Sequence, residues 1–144
     1  MTPSDGFSIV NPAALLGWLL LAAGLFSSGR LRQRLLLAGG RVLPLLLCLA
    51  YAVALILYGD TAPGGGFGTL EQVATLFRSP GLLLAGWIHF LAFDLFIGRW
   101  IVDDALARGL PRPAVLPSLL LTFLLGPVGL GLHFGLRLLL ARPR

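Results

Sequence analysis

The 144-residue sequence contains no lysine, a single cysteine and few charges, with 12% of residues ionisable. A soluble domain carries about a quarter charged residues, because its surface has to be solvated. With 57% hydrophobic residues and a mean hydropathy of +0.90, this chain cannot cover itself in polar surface. A water-soluble fold is excluded, and an integral membrane protein is implied. The lone cysteine, Cys48, excludes an intramolecular disulfide. It lies in an apolar run and is expected to be a small buried hydrophobe. The net charge of +5 rests on arginine alone. The arginines stand at the ends of apolar runs, as membrane-flanking residues do. They do not form the clustered basic patch that would mark a nucleic-acid-binding protein.

A bilayer core about 30 Å thick needs about 20 apolar residues per helix. Residues 11–27, 42–58, 81–102 and 114–141 qualify, the first led in by Phe7 to Val10. The expected fold class is therefore all-α: a polytopic bundle of four transmembrane helices in a single domain, residues 1–144. Met1 to Val10 carries no Lys or Arg. A signal peptide needs a basic n-region, so the first helix is expected to remain in the mature protein. Pro63, Gly64, Gly65 and Gly66 break the chain after the second span. Thr69 then caps a short segment in which Leu70, Val73, Leu76 and Phe77 recur at helical spacing, a pattern expected of an interfacial helix. Ser79, Pro80 and Gly81 end it.

With four antiparallel spans, Arg30, Arg32, Arg34, Arg41, Arg99, Arg108 and Arg112 collect on one side. Arg78, Arg137, Arg142 and Arg144 collect on the other. Seven against four places both chain termini outside the cytoplasm by the positive-inside rule.

Ionisable groups at membrane depth are costly and normally face protein or a wet cavity. The third span holds His89 and Asp94, with Arg99, Asp103 and Asp104 at its inner end; the fourth holds His133 and Arg137. Arg99 and Asp103 stand four residues apart and can pair on one helix face. The Arg99, Asp103 and Asp104 group reads most simply as an interfacial charge cluster, with Arg99 snorkelling to the surface. His89 and Asp94 diverge by about 140° at 100° per residue, so any partnership between them runs through another span. The antiparallel layout puts His89 level with His133, and Asp94 level with Gly126 and Pro127. Proline there frees backbone carbonyls, and Gly126, Gly129 and Gly131 leave room for close helix approach or a flat ligand. No ligand-spaced motif such as HxxxH occurs, so no metal is expected, and no cofactor is indicated. The bland reading of these polar groups is hydrogen bonding that locks the third and fourth helices together. Trp18, Trp87 and Trp100 lie toward span ends, as an aromatic belt would.

The run WIHFLAFDLFIGRWIVDD, residues 87–104, resembles the signature of the abscisic-acid-deficient-4-like membrane family. The stretch GPVGLGLHF, residues 126–134, resembles that family's last-helix motif, with His133 where members often carry an aromatic. The first two spans match in hydrophobic layout only. The resemblance implies a four-helix membrane protein and, for the plant branch linked to neoxanthin synthesis, a carotenoid epoxide-to-allene isomerisation. It carries over to Trp87, His89, Asp94, Gly98, Arg99, Trp100 and Asp104. No plastid transit peptide is visible, so a bacterial inner membrane is the expected location.

Two functions of different classes follow. In the first, the chain is a membrane isomerase or accessory factor for a carotenoid or similar isoprenoid. Asp94 or His89 then acts as acid or base, and Trp87, Arg99, Trp100, Asp104, Gly126, Pro127 and His133 contribute to binding. In the second, it is a non-catalytic subunit that binds pigment or stabilises a membrane partner. A transporter built as a homo-oligomer is weaker, because one chain has too few helices for an inverted repeat. The partners expected are the lipid bilayer, a carotenoid or isoprenoid ligand and further copies of the chain in a homo-oligomer, and no nucleic acid.

Overall fold

A capping box starts the first helix well before the hydropathy does. In the computed structural model, which describes residues 2–140, the Thr2 hydroxyl accepts the Asp5 amide at 3.2 Å. The Asp5 carboxylate accepts the Thr2 amide at 2.7 Å in return. Helix α1 (Pro3–Phe26) therefore begins at a proline, whose missing N–H costs nothing in a first turn. After a short turn, α2 (Gly29–Leu37), a π-helical stretch at Ala38–Val42 and α3 (Leu43–Tyr58) run on as one helix that ends in a 3-10 turn, Gly59–Thr61.

The expected short helix is present as α4 (Leu70–Arg78), with the Thr69 hydroxyl accepting the Gln72 amide at 3.3 Å. Ser79 ends α4 and caps α5 (Pro80–Ala107), the longest α-helix of the described residues at 28 residues. Pro3–Phe26, Gly29–Thr61 and Pro80–Ala107 are each long and apolar enough to cross a membrane. Helix α5 runs through the middle of the bundle, against α3 on one side and α1 and the C-terminal helices on the other. Leu21, Leu25, Leu95, Ile101, Val102 and Val115 are buried along that axis. Large apolar side chains such as Ile56 and Leu138 point outward at 83% and 87% exposure, the reverse of a soluble surface.

The fourth segment departs from the expected single span. It divides into α6 (Arg112–Leu125) and α7 (Pro127–Leu140), which fold back on each other as an antiparallel hairpin. The cause is local. Gly126 takes φ +48°, ψ −97°, a left-handed backbone that side chains resist, and Pro127 cannot continue α6 because it has no N–H. Gly129 then lets the two backbones touch: a Cβ there would lie 2.1 Å from the Thr122 nitrogen and 2.4 Å from the Ser118 carbonyl oxygen. At 1.5 Å per residue each arm is about 21 Å long, short of a bilayer core.

The hairpin reverses the end of the chain. Pro3 shares a cavity with Pro80, at the start of α5, while Arg137 reaches Asp104 near the end of α5. The described chain ends thus lie at opposite ends of the bundle, where four antiparallel spans would put them together. Arg142, Arg144 and the segment end at Ala141 lie outside the described residues. Two smaller expectations also change. Cys48 is exposed on the outer face of α3, and Trp18 is 7% exposed in the core against Gly98 and Phe123.

Gly129→Val is expected to destabilise the folded protein by about 3 kcal/mol or more, because overpacking here meets backbone that cannot move. Gly131→Ala, with nothing within 4 Å of its added carbon, is expected to change stability little. Thermal unfolding of both variants in detergent checks the pair; equal melting temperatures would refute the hairpin contact.

Candidate functional site

Asp94 sits at the midpoint of α5, where the hairpin tip comes to rest. A Cβ on Gly126 would lie 3.0 Å from the Asp94 Oδ1 atom, so only glycine allows the tip this close. The carboxyl opens on a cavity of about 460 Å³ whose lining includes Asn11, Trp87, Phe90, Phe123 and Pro127. Its floor is the end of α6 and the start of α7, its walls α1 and α5. Among the described residues no hydrogen-bond donor reaches the Asp94 carboxylate. A half-buried carboxyl without a protein donor is left for water or a ligand to satisfy. Of the other polar groups of the cavity, the Trp87 indole donates to the Asn11 side-chain oxygen at 3.2 Å. Trp87 is also shared with a second cavity of about 330 Å³ that continues toward the start of α5 along Phe7, Leu83 and Pro80.

His89 does not join this group. It is exposed on another face of α5, stacked on Phe93 at 4.6 Å between ring centroids and against Tyr51 of α3 at 5.7 Å. The divergence expected of positions five apart on a helix is realised, and the span it meets is α3.

A second polar cluster closes the far end of the hairpin. Asp104 accepts from Arg108 at 2.9 Å and contacts His133 Nε2 at 3.0 Å and Arg137 at 3.4 Å. His133 is fully buried, with the Trp100 ring edge-on at 5.6 Å. The Arg137 guanidinium lies 5.8 Å from the centre of the Trp100 ring and 5.1 Å from that of Phe134. The expectation that His133 shares a level with His89 is thus corrected. Because the chain turns back at Gly126, His133 meets Asp104, fifteen residues beyond His89 on α5. The expected pairing of Arg99 with Asp103 is present at 2.7 Å. Arg99 also donates to the Leu36 carbonyl, over a backbone that Gly40 keeps clear of side chain, so the group is tied to the helix before α3 as well as placed near the surface.

The site residues named from sequence therefore separate. Asp94, Trp87, Gly126 and Pro127 come together; Asp104, His133 and Trp100 form the far cluster; His89 and Arg99 stand apart. Asn11 was missed, having been read as a span boundary, although a lone amide inside an apolar helix is a recognisable signal. Among the described residues no three His, Cys, Asp or Glu side chains cluster as metal ligands would.

The fold and cavity define an all-helical membrane-type protein with a carboxyl set halfway along its central helix. Residues 6–133 match the ABA DEFICIENT 4-like family, and the chain belongs to it. No curated protein and no solved structure matches the chain.

Asp104→Ala is expected to destabilise the protein by about 3 kcal/mol, since it leaves buried His133 and Arg137 without their carboxylate. Asp103→Ala, whose side chain is 48% exposed, should cost under about 1 kcal/mol. Unfolding of the two variants in detergent gives the comparison, and similar losses for both would show that Asp104 does not anchor α7.

Proposed function

We propose that this protein binds the ring end of a carotenoid or similar isoprenoid in the Asp94 cavity, and that Asp94 exchanges a proton with it. The observation that carries this reading is the Asp94 carboxyl, without a protein donor, opening on a largely apolar cavity. At about 460 Å³ the cavity is within the size range of small-molecule sites. The adjoining groove past Trp87 suits the start of an apolar chain, the remainder lying in lipid. An apolar ligand reaches such a site sideways from the bilayer, with the Phe90 and Phe123 rings beside it. Proton transfer by one positioned group contributes about 10²–10⁴-fold to a rate, and it is the kind of step by which a strained or conjugated ring isomerises. Family membership supports the isoprenoid class, because the family is linked to carotenoid chemistry. His89, facing α3, takes no part.

In this reading the three long helices cross the membrane and the hairpin enters it from one side only. With the hairpin in place, Arg30, Arg32, Arg34, Arg41, Arg99, Arg108, Arg112 and Arg137 share one end, against Arg78 at the other. That bias puts the arginine-rich end in the cytoplasm, the start of α1 outside, and amphipathic α4 along the outer surface.

Expression in a carotenoid-producing bacterial host is expected to alter the pigment profile, and Asp94→Asn to abolish the alteration while protein levels hold. Unchanged pigments with the wild-type protein would sink the catalytic reading. Loss of a membrane complex in Asp94→Asn, with pigments unchanged, would instead favour a non-catalytic subunit.

Reporter fusions test the topology. A fusion at residue 140 is expected to report cytoplasm and one at the N-terminus the opposite side; the same side for both would refute the hairpin orientation.

A further inference from the structure

We propose that the α6–α7 hairpin carries protons between the arginine-rich end and Asp94, through His133, Ser118 and Thr122. The proposal rests on Asp94 being the proton-exchanging group, and it names the source of that proton.

Ser118, Thr122 and His133 are each 0% exposed, three polar side chains inside an apolar hairpin. Two of their atoms, Ser118 Oγ and His133 Nδ1, are buried without a hydrogen-bond partner. Buried polar atoms are rarely left so, and a buried water is their ordinary partner. The register brings them to the same level. Gly129 packs between Ser118 and Thr122, and His133 lies one turn further from the tip, its side chain leaning back toward α7's start. On α6, Ser118, Thr122 and Gly126 fall at intervals of four, on one face of the helix. The stripe ends at Asp94, where a Cβ on Gly126 would meet the carboxyl at 3.0 Å. From Ser118 to Gly126 the rise is about 12 Å, half the depth of a bilayer core or slightly less.

The other end of the line is ionic. His133 Nε2 contacts Asp104, whose second oxygen accepts from Arg108 of α5, and Arg137 of α7 lies on the same carboxylate. From α6 the groups facing His133 are uncharged, and from α5 the remaining contact is the Trp100 ring. With Asp104 paired to Arg108 and Arg137, Nε2 carries the proton shared with that carboxylate and Nδ1 is the accepting nitrogen, so a proton taken at Nδ1 lets the ring release the one on Nε2 at the Asp104 side. The Thr122 hydroxyl donates to the Ser118 carbonyl at 2.8 Å and turns from it to take part; Ser118 and Thr122 then each take one proton and pass one on, with water between the hydroxyls and Asp94. One proton leaves the Asp94 carboxyl and one is released at the Asp104 side, return of the ring to its first tautomer resets the line, and the same steps in reverse load the carboxyl.

The test follows Asp94 itself. With purified protein in lipid nanodiscs, time-resolved infrared spectroscopy after a pH jump reads the carboxyl band that Asp94→Asn removes. Ser118→Ala and His133→Gln, which keeps a donor for Asp104, are expected to slow that band by at least about tenfold while its final amplitude is retained. Ser118→Thr restores a hydroxyl and is expected to restore the rate. Rates within about twofold of wild type in both slow variants, or no pH-dependent band from Asp94, would overturn the proposal. If His133→Gln does not fold, Ser118→Ala and its threonine rescue decide alone. No isoprenoid is in the assay, so slowed exchange with pigments indifferent to Asp94 would keep the relay and remove only the isoprenoid chemistry.

Discussion

The contact of α6 with α7 at Gly129 is the constraint on which the candidate site depends. In an apolar surrounding, a turn in the chain is tolerable only where its backbone groups are enclosed or paired. The tip meets that condition at Gly126, whose amide donates to the Thr122 carbonyl at 2.9 Å and whose carbonyl accepts from Gly129 at 3.1 Å. Any side chain at residue 129 would push the arms apart. With the arms apart, the tip would leave Asp94 and His133 would leave Asp104.

Helix α5 supplies the opposite half of both polar clusters, and its faces divide the work. One face holds Asp94 and Asp104, ten residues apart and both turned to the hairpin. Another holds His89 and Phe93 against α3. The buried stripe of Leu95, Ile101 and Val102 binds the helix to the rest of the bundle. The electrostatics follow the same division. In the far cluster Arg108, Arg137 and the Nε2 atom of His133 all meet the Asp104 carboxylate, which makes it an anchor, whereas Asp94 has no donor.

The long helices were legible in the sequence because runs of apolar residues of spanning length carry their own signal. So was the Arg99–Asp103 pair, which needs only four-residue spacing. The short helix announced itself through Thr69 and the glycine cluster before it. The hairpin was not legible by hydropathy, because residues 114–141 are apolar on both sides of the bend. The cue was the Gly126–Pro127 dipeptide, a turn signal that was read as a local loosening of one helix. That single misreading displaced His133 from Asp104 to His89 and put both chain ends on one side. Asp94 was nevertheless matched correctly with Gly126 and Pro127, since both layouts bring residue 126 to the middle of α5. Trp18 escaped the belt reading because Gly98 opposite it opens a slot in the core.

The unequal lengths of the helices have a consequence of their own. Arms of 14 residues beside helices of 24 and 28 cover α1 and α5 from the arginine-rich end only as far as Asp94. Beyond that point the face bearing Phe7 and Trp87 is bare, at 45% and 43% exposure. In the proposed topology the cavity would have a doorway in one leaflet and a wall in the other. A molecule confined to the walled leaflet would have to cross to the opposite monolayer before it could reach the carboxyl. The rate of that crossing, and not collision within the membrane, would then govern how fast the site is filled.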